Sequence, residues 1–332
     1  MSIMTGLKNA KKKKIVCIGG GTQIPPLLLD NLRKRPVEVA GITSMVDCGG
    51  SGGYFRREFG VLPASDIRRH ILGLSNAPKW KKDLWQFRFG EEIFEDGHKG
   101  QVFANALMAG LENSFKNYRK VLQYVFEFIE LGKNRTLPAT IAQTHIVAEL
   151  ENGEIVKGEA EIDVPRRHDS KLKIKKVYLE PKAVAFPEAK KAILEADAII
   201  IGPGDLYSSI VPCFLPAGIS AALGKTRAKK ILISNSLAKM GETQGFSVAD
   251  FSAEIERYMR TKLDYVLYHN KPLDKALLAA FQKECPQISD ALKINGDLPP
   301  DKFVGRDIYQ KDKIAFDSKK VVREIFKLIN YK

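Results

Sequence analysis

Five short apolar runs, each closing on a loop, set the tightest limit on how this chain folds. Residues 14–18 (Lys-Ile-Val-Cys-Ile) are mostly β-branched and run straight into Gly19-Gly20-Gly21-Thr22. A short run without polar alternation predicts a strand buried on both faces, as in a parallel sheet. Residues 25–35 read as a helix, with Pro25 and Pro26 in its first turn, where a missing N–H does no harm. Residues 37–46 read as a second strand, which completes a βαβ unit. Runs at 198–201, 230–234 and 265–268 repeat the theme, with helices read at 188–196, 206–224 and 251–260. The expected architecture is α/β: a doubly wound, mainly parallel sheet. Its ligand edge lies at the carboxyl ends of the strands.

The remaining text is secondary to that frame. Residues 66–74 look helical. Residues 79–100 are aromatic and mixed in charge, with Trp80, Trp85, Phe87, Phe89 and Phe94. One long helical region is expected over 102–131, with a core stripe of Leu111, Phe115, Tyr118, Leu122, Val125 and Ile129. Residues 145–163 alternate around Asn152-Gly153, which predicts an inserted β-hairpin. A short strand is read at 177–179. From 271 onward the chain turns polar and ends in a helix over 318–329. The division expected is a basic tail over 1–13, a domain over 14–270, and a peripheral C-terminal helical extension over 271–332 packed on it.

Three loops should meet at the ligand edge. Gly19, Gly20, Gly21 and Thr22 let a backbone approach an anion closely, and the helix start beyond them offers free N–H groups. The loop is no dinucleotide fingerprint, because Ile24 stands where the third glycine belongs, and no Gly-Lys-Ser/Thr follows. A second loop, Asp47 to Gly53, carries Gly49, Gly50 and Ser51. Asp47 could accept from a ribose hydroxyl or coordinate Mg²⁺, and is the candidate metal ligand. The third, residues 202–209, offers Gly202, Gly204, Tyr207, Ser208 and Ser209, and Asn235 ends the next strand. Asp66 opens a helix. Arg68, in the same turn, could grip a phosphate, although helix capping alone would explain the acid. Asp47 and Asp66 are the catalytic candidates if a reaction occurs.

Composition removes other classes. Apolar residues make up 44% and charged residues 28%, ordinary for a folded domain. The chain has 332 residues with 53 Lys plus Arg against 39 Asp plus Glu, a net charge of +14, so an anionic partner is implied. Neither a nucleic-acid recognition motif nor a membrane-length apolar run is present. Arg166, Arg167 and the lysines of 171–176 read as a solvated edge. The four cysteines form no C-x-x-C pair and the five histidines show no ligand spacing, so zinc, haem and PLP are not expected. Cysteine use points to the cytoplasm. Cys48 sits beside Asp47, which raises a thiol's pKa and leaves it poorly primed as a nucleophile.

Several motifs recur in one order: 14–22, 46–53, Asp66-Ile67-Arg68, Asn105 to Gly110, 201–209 and Gly241-Glu242-Thr243. This series resembles the family of 2-phospho-L-lactate transferase (CofD) and the gluconeogenesis factor (YvcK-type proteins), over roughly 13–270 and closer to the YvcK branch. The resemblance implies a Rossmann-like domain with a nucleotide site, and it adds Asn105 to the candidate ligand contacts. In the YvcK branch it implies a binding or regulatory protein for UDP-sugar-like nucleotides, linked to carbon metabolism, cell shape and cell-wall synthesis. In the other branch it implies Mg²⁺-assisted transfer of a 2-phospho-lactate-type group from a nucleotide donor to a deazaflavin. A homodimer is a candidate assembly, and an NAD-binding oxidoreductase is a third, weaker reading. The chain departs from the pattern at Gln23, Cys48, Ser65, Arg69, Gln101 (with His98 nearby) and Cys213. Losing a carboxylate at Cys48 weakens a divalent-metal site.

Overall fold

The computed structural model describes residues 12–93, 99–296 and 298–331. Phe94, His98 and most of the basic tail lie outside the described residues. Seven strands build the central sheet: β1 Lys14–Ile18, β2 Glu38–Thr43, β3 Arg135–Pro138, β4 Ala198–Ile201, β5 Lys229–Ile233, β6 Tyr265–His269 and β7 Phe303–Arg306. Their order is β7-β6-β5-β4-β1-β2-β3, and every pairing is parallel. The order runs one way from β1 to β3 and the other way from β4 to β7. That is the doubly wound, Rossmann-like arrangement, with its switch point between β1 and β4. Register is tight there, with Cys17 opposite both Gly41 and Ile200. All four residues of β4 are buried, as a strand covered by helices on both faces requires.

All five expected strands are present, and two edge strands, β3 and β7, add to them. β3 is short and polar at its start (Arg-Thr-Leu-Pro), and β7 carries a glycine, so neither has the unbroken apolar run of the inner strands. β7 also shows that the chain beyond 270 completes the sheet edge as well as packing on it. The closing helix, Ser318–Leu328, buries Val321, Val322 and Ile325 and packs beside the first helical segment, Pro25–Leu29 and Asp30–Leu32. That segment is shorter than the helix expected over 25–35.

Two other expectations are corrected. The region over 102–131 is two helices, Phe103–Phe115 and Tyr118–Phe128. Lys116 turns left-handed (φ 50°), and the Asn117 side chain caps the next helix by accepting from the Arg119 and Lys120 N–H groups. The second glycine loop is largely the first turn of helix Gly50–Phe59. A Cβ on Gly52 would lie 2.1 Å from Ser65 Oγ, so this glycine lets two helix starts touch. The inserted hairpin stands where Asn152-Gly153 predicted it, between His145–Leu150 and Ile155–Lys157, and Ile174–Glu180 adds a third strand. Among the described residues no helix is long and apolar enough to cross a membrane.

Candidate functional site

At the switch point the backbone segments come very close. A Cβ on Gly21 would lie 2.7 Å from both Cα and Oδ1 of Asp66, so only glycine lets the β1 loop rest on helix Ser65–Leu74. The Gly21 backbone hydrogen-bonds the Asp66 carboxylate. A cleft of about 550 Å³ opens above these contacts. Thr22 reaches it from the β1 loop, Asp47 from the end of β2, and Ser208 and Ser209 from the turn after β4.

One side of the cleft is cationic. Arg68, Arg69 and Arg88 border it and also border an adjoining cavity of about 710 Å³ that includes Gly21, Thr22 and Pro25. The aromatic segment helps to place them. Trp85 is fully buried, and its Nε1 donates to the Arg68 carbonyl (3.0 Å). The Arg68 side chain is 7% exposed overall, yet its Nε has no hydrogen-bond partner. A buried cationic donor without an acceptor is costly, and an anion would satisfy it. Burial, then the charges of Arg69 and Arg88, push the Arg68 guanidinium down to about 10. Arg69 donates to Thr22 Oγ1 (3.3 Å) and lies 3.6 Å from Asp66 Oδ1.

The rest of the lining is rich in acids: Asp47, Asp66, Glu159, Asp163 and Asp205 border the first cleft and none borders the second, and Arg166 and Arg167 stand among them. Burial, then the Asp47 charge, pushes Asp66 up to about 6 against the pull of Arg69. Glu159 is raised well above the carboxylate range by burial and by Asp47 and Asp163. Beneath this wall Lys239 pairs with Asp163, with Asp205 (2.9 Å) and with Glu242 (3.5 Å). Glu242 is 4% exposed and accepts from the Tyr207 N–H (2.6 Å). Burial pushes it up to about 7, with Lys239 opposing and Asp205 and Asp163 assisting. The Gly-Glu-Thr motif therefore pins the start of the turn Leu206–Ile210.

The expected site residues divide into two groups. Asp47, Asp66, Arg68, Thr22, Ser208 and Ser209 line the cleft, with Gly49, Gly50 and Ser51 at its rim. The others act from behind. Gly19 extends the sheet by donating to the Ile42 carbonyl (3.1 Å), and the Gly20 carbonyl accepts from His70 Nε2 (3.1 Å). Asn105 is buried under Ser51, donating to its Oγ (3.0 Å). Tyr207 is buried away from the cleft, with its hydroxyl donating to Glu254 (2.7 Å). Gly202 and Gly204 shape the β4 turn and do not line the cleft. Asn235 spends its amide on Gly204, accepting from its N–H (3.1 Å) and donating to its carbonyl (2.8 Å).

Sequence reading missed Glu159, Asp163, Lys239 and Arg88; Arg166 and Arg167, read as a solvated edge, are exposed and also border the cleft. Glu161 accepts from the backbone N–H groups of both arginines (2.8 and 2.6 Å) and so curls this segment over the site. Their contact is long-range, and no local pattern signals it. Asp47 holds the Gly49 N–H (2.9 Å), and the half-buried Cys48 accepts from the Ala160 N–H (3.3 Å). Burial raises the Cys48 thiol, with the Ala160 N–H opposing.

Comparison with known proteins is consistent with this geometry. Residues 15–301 match the family described as 2-phospho-L-lactate transferase CofD. The gluconeogenesis factor of Listeria monocytogenes is 34% identical over 289 residues, covering 86% of each chain. The putative gluconeogenesis factor of Thermotoga maritima is 35% identical over 274 residues, covering 82% of this chain and 83% of that one. A solved structure of a UPF0052-family protein from Bacillus halodurans superposes with a TM-score of 0.84 at 28% identity, covering 96% of this chain and 99% of that one.

Proposed function

The chain belongs to the CofD family, and from that premise we propose that it binds a phosphorylated nucleotide of the UDP-sugar kind as a YvcK-like binding or regulatory protein. Its setting on this reading is carbon metabolism, cell shape and cell-wall synthesis in the cytoplasm. The observation that carries the reading is the buried Arg68, whose Nε lacks an acceptor at the junction of two cavities. A diphosphate there would receive donors from the arginines, while the carboxylates suit ribose and sugar hydroxyls.

The second reading is Mg²⁺-assisted transfer of a 2-phospho-lactate-type group from a nucleotide donor to a deazaflavin. It draws on the carboxylates. Among the described residues, the carboxylates with metal-ligand spacing are Asp163, Asp205 and Glu242, and Asp47 is not among them. Lys239 already engages all three. That reading therefore ranks second.

Thermal denaturation with UDP-glucose, UDP-N-acetylglucosamine and GDP tests the proposal. A ligand at about 100 times its Kd should add about 2.7 kcal/mol of stability. Arg68→Ala should weaken binding about tenfold or more, the worth of a charge-assisted hydrogen bond. No stabilisation by any nucleotide would falsify the reading.

A further inference from the structure

We propose that Lys239 is a built-in cation: its ammonium takes the place that a divalent metal would occupy among Asp163, Asp205 and Glu242, and it closes that corner of the cleft to metal. One ligand atom from each of these three carboxylates lies within 4.8 Å of the others, the spacing of an oxygen-donor metal site. The Lys239 side chain is 7% exposed and pairs with all three. Ser208 Oγ adds a further contact, 2.8 Å from Glu242 Oε1 and 3.1 Å from Asp163 Oδ1. The ammonium hydrogen-bonds Asp163 and Asp205 and pairs with Glu242, and a metal ion could enter only by expelling it.

The charge balance supports the assignment. Burial works against the Lys239 charge, yet Glu242, Asp205 and Asp163 together raise its pKa, so it stays protonated. The ammonium also ties three separate stretches together: helix Glu159–Asp163, the turn entered through Asp205, and the segment from strand Leu237–Lys239 to Glu242. A metal would do the same mechanical work, but it would come and go with its concentration and with chelators. Lysine makes the crosslink permanent and independent of metal supply. Lys239 acts here as a positioning residue. It offsets the charge of Asp163, Asp205 and Glu242 around Ser208, which lowers the repulsion an anion meets in that part of the cleft.

The test uses the full chain and Mn²⁺ as the probe, with free Mn²⁺ followed by electron paramagnetic resonance. Wild type should take up no Mn²⁺ through Asp205. Lys239→Gln, neutral and shorter, should take up one Mn²⁺ per chain, and adding Asp205→Asn should weaken that uptake at least tenfold. Should Lys239→Gln not fold alone, refolding it in Mn²⁺ should recover it, while sodium at matched ionic strength should not, and Lys239→Arg should fold without metal. Mn²⁺ uptake by wild type that Asp205→Asn abolishes overturns the proposal. So does a folded Lys239→Gln that takes up no Mn²⁺, or an unfolded one that Mn²⁺ fails to recover.

Discussion

Asp66 shows how much a single side chain can report at this site. Its carboxyl is pushed from 3.8 up to about 6 by burial and by Asp47. The folded chain holds this proton more tightly than the unfolded chain does. The stability it lends is therefore fully present below about pH 4 and is lost as pH rises through about 6. Asp66→Asn removes that dependence. The stability of wild type minus that of the variant should fall by about 2 kcal/mol between roughly pH 4 and pH 7, read from urea midpoints at both ends; a flat or rising difference rejects the assignment. Gly21 is the neighbouring case. Because a Cβ would meet Asp66 at 2.7 Å, Gly21→Ala should cost about 1–3 kcal/mol through overpacking, and an unchanged urea midpoint would show that the loop can yield. Gly21 stood out in the sequence as part of a triple glycine. The reason for it, backbone contact with a residue 45 positions later, did not.

The turn after β4 is the element on which the site most depends. Residues 202–209 are held from two sides, by Asn235 on Gly204 and by Glu242 on the Tyr207 N–H. Asn235→Ala should cost about 1–3 kcal/mol, because both partners on Gly204 lose their bonds. Amide exchange at Gly204 should quicken in step, and an unchanged rate would remove Asn235 from this role. Element types were legible where periodicity was strong: the five inner strands and the Asn152-Gly153 hairpin follow from local pattern alone. The glycine-rich stretch after Asp47 misled, because glycine argues for a loop by propensity while tertiary packing against Ser65 demands it in a helix. The break at Lys116 leaves no mark in the pattern for a simpler reason, the apolar stripe being continuous across it.

At the scale of the whole molecule, the C-terminal segment is part of the site's support. Strand Ile288–Ala291 pairs antiparallel with Leu237–Lys239, the strand that carries Lys239. β7 covers the edge of β6, and Ile325 is buried on the closing helix, which packs against the first helical segment. Removing residues 271–332 should therefore expose strand edges and core together. The truncated chain should aggregate or melt without a cooperative transition, as followed by soluble yield and calorimetry; a cooperative melt would mark the segment as dispensable. The net charge of +14 points toward an anionic partner, yet in the cleft lining the arginines are accompanied by carboxylates. Most of the excess charge lies away from it.

Local pattern is enough for the parallel α/β frame and the loops that line its edge, because its signals are short-range: apolar runs of strand length, glycines directly after them, and turn residues between them. Which residues line the cleft and which merely hold them follows from long-range packing. Tyr207, Asn105 and Asn235 turned inward, while Arg88, Arg166, Arg167 and Asp163 arrived from distant segments. Lys239 found its three carboxylates the same way. Burial and the approach of charges far apart in the chain set these roles, and neither quantity exists until the chain has folded.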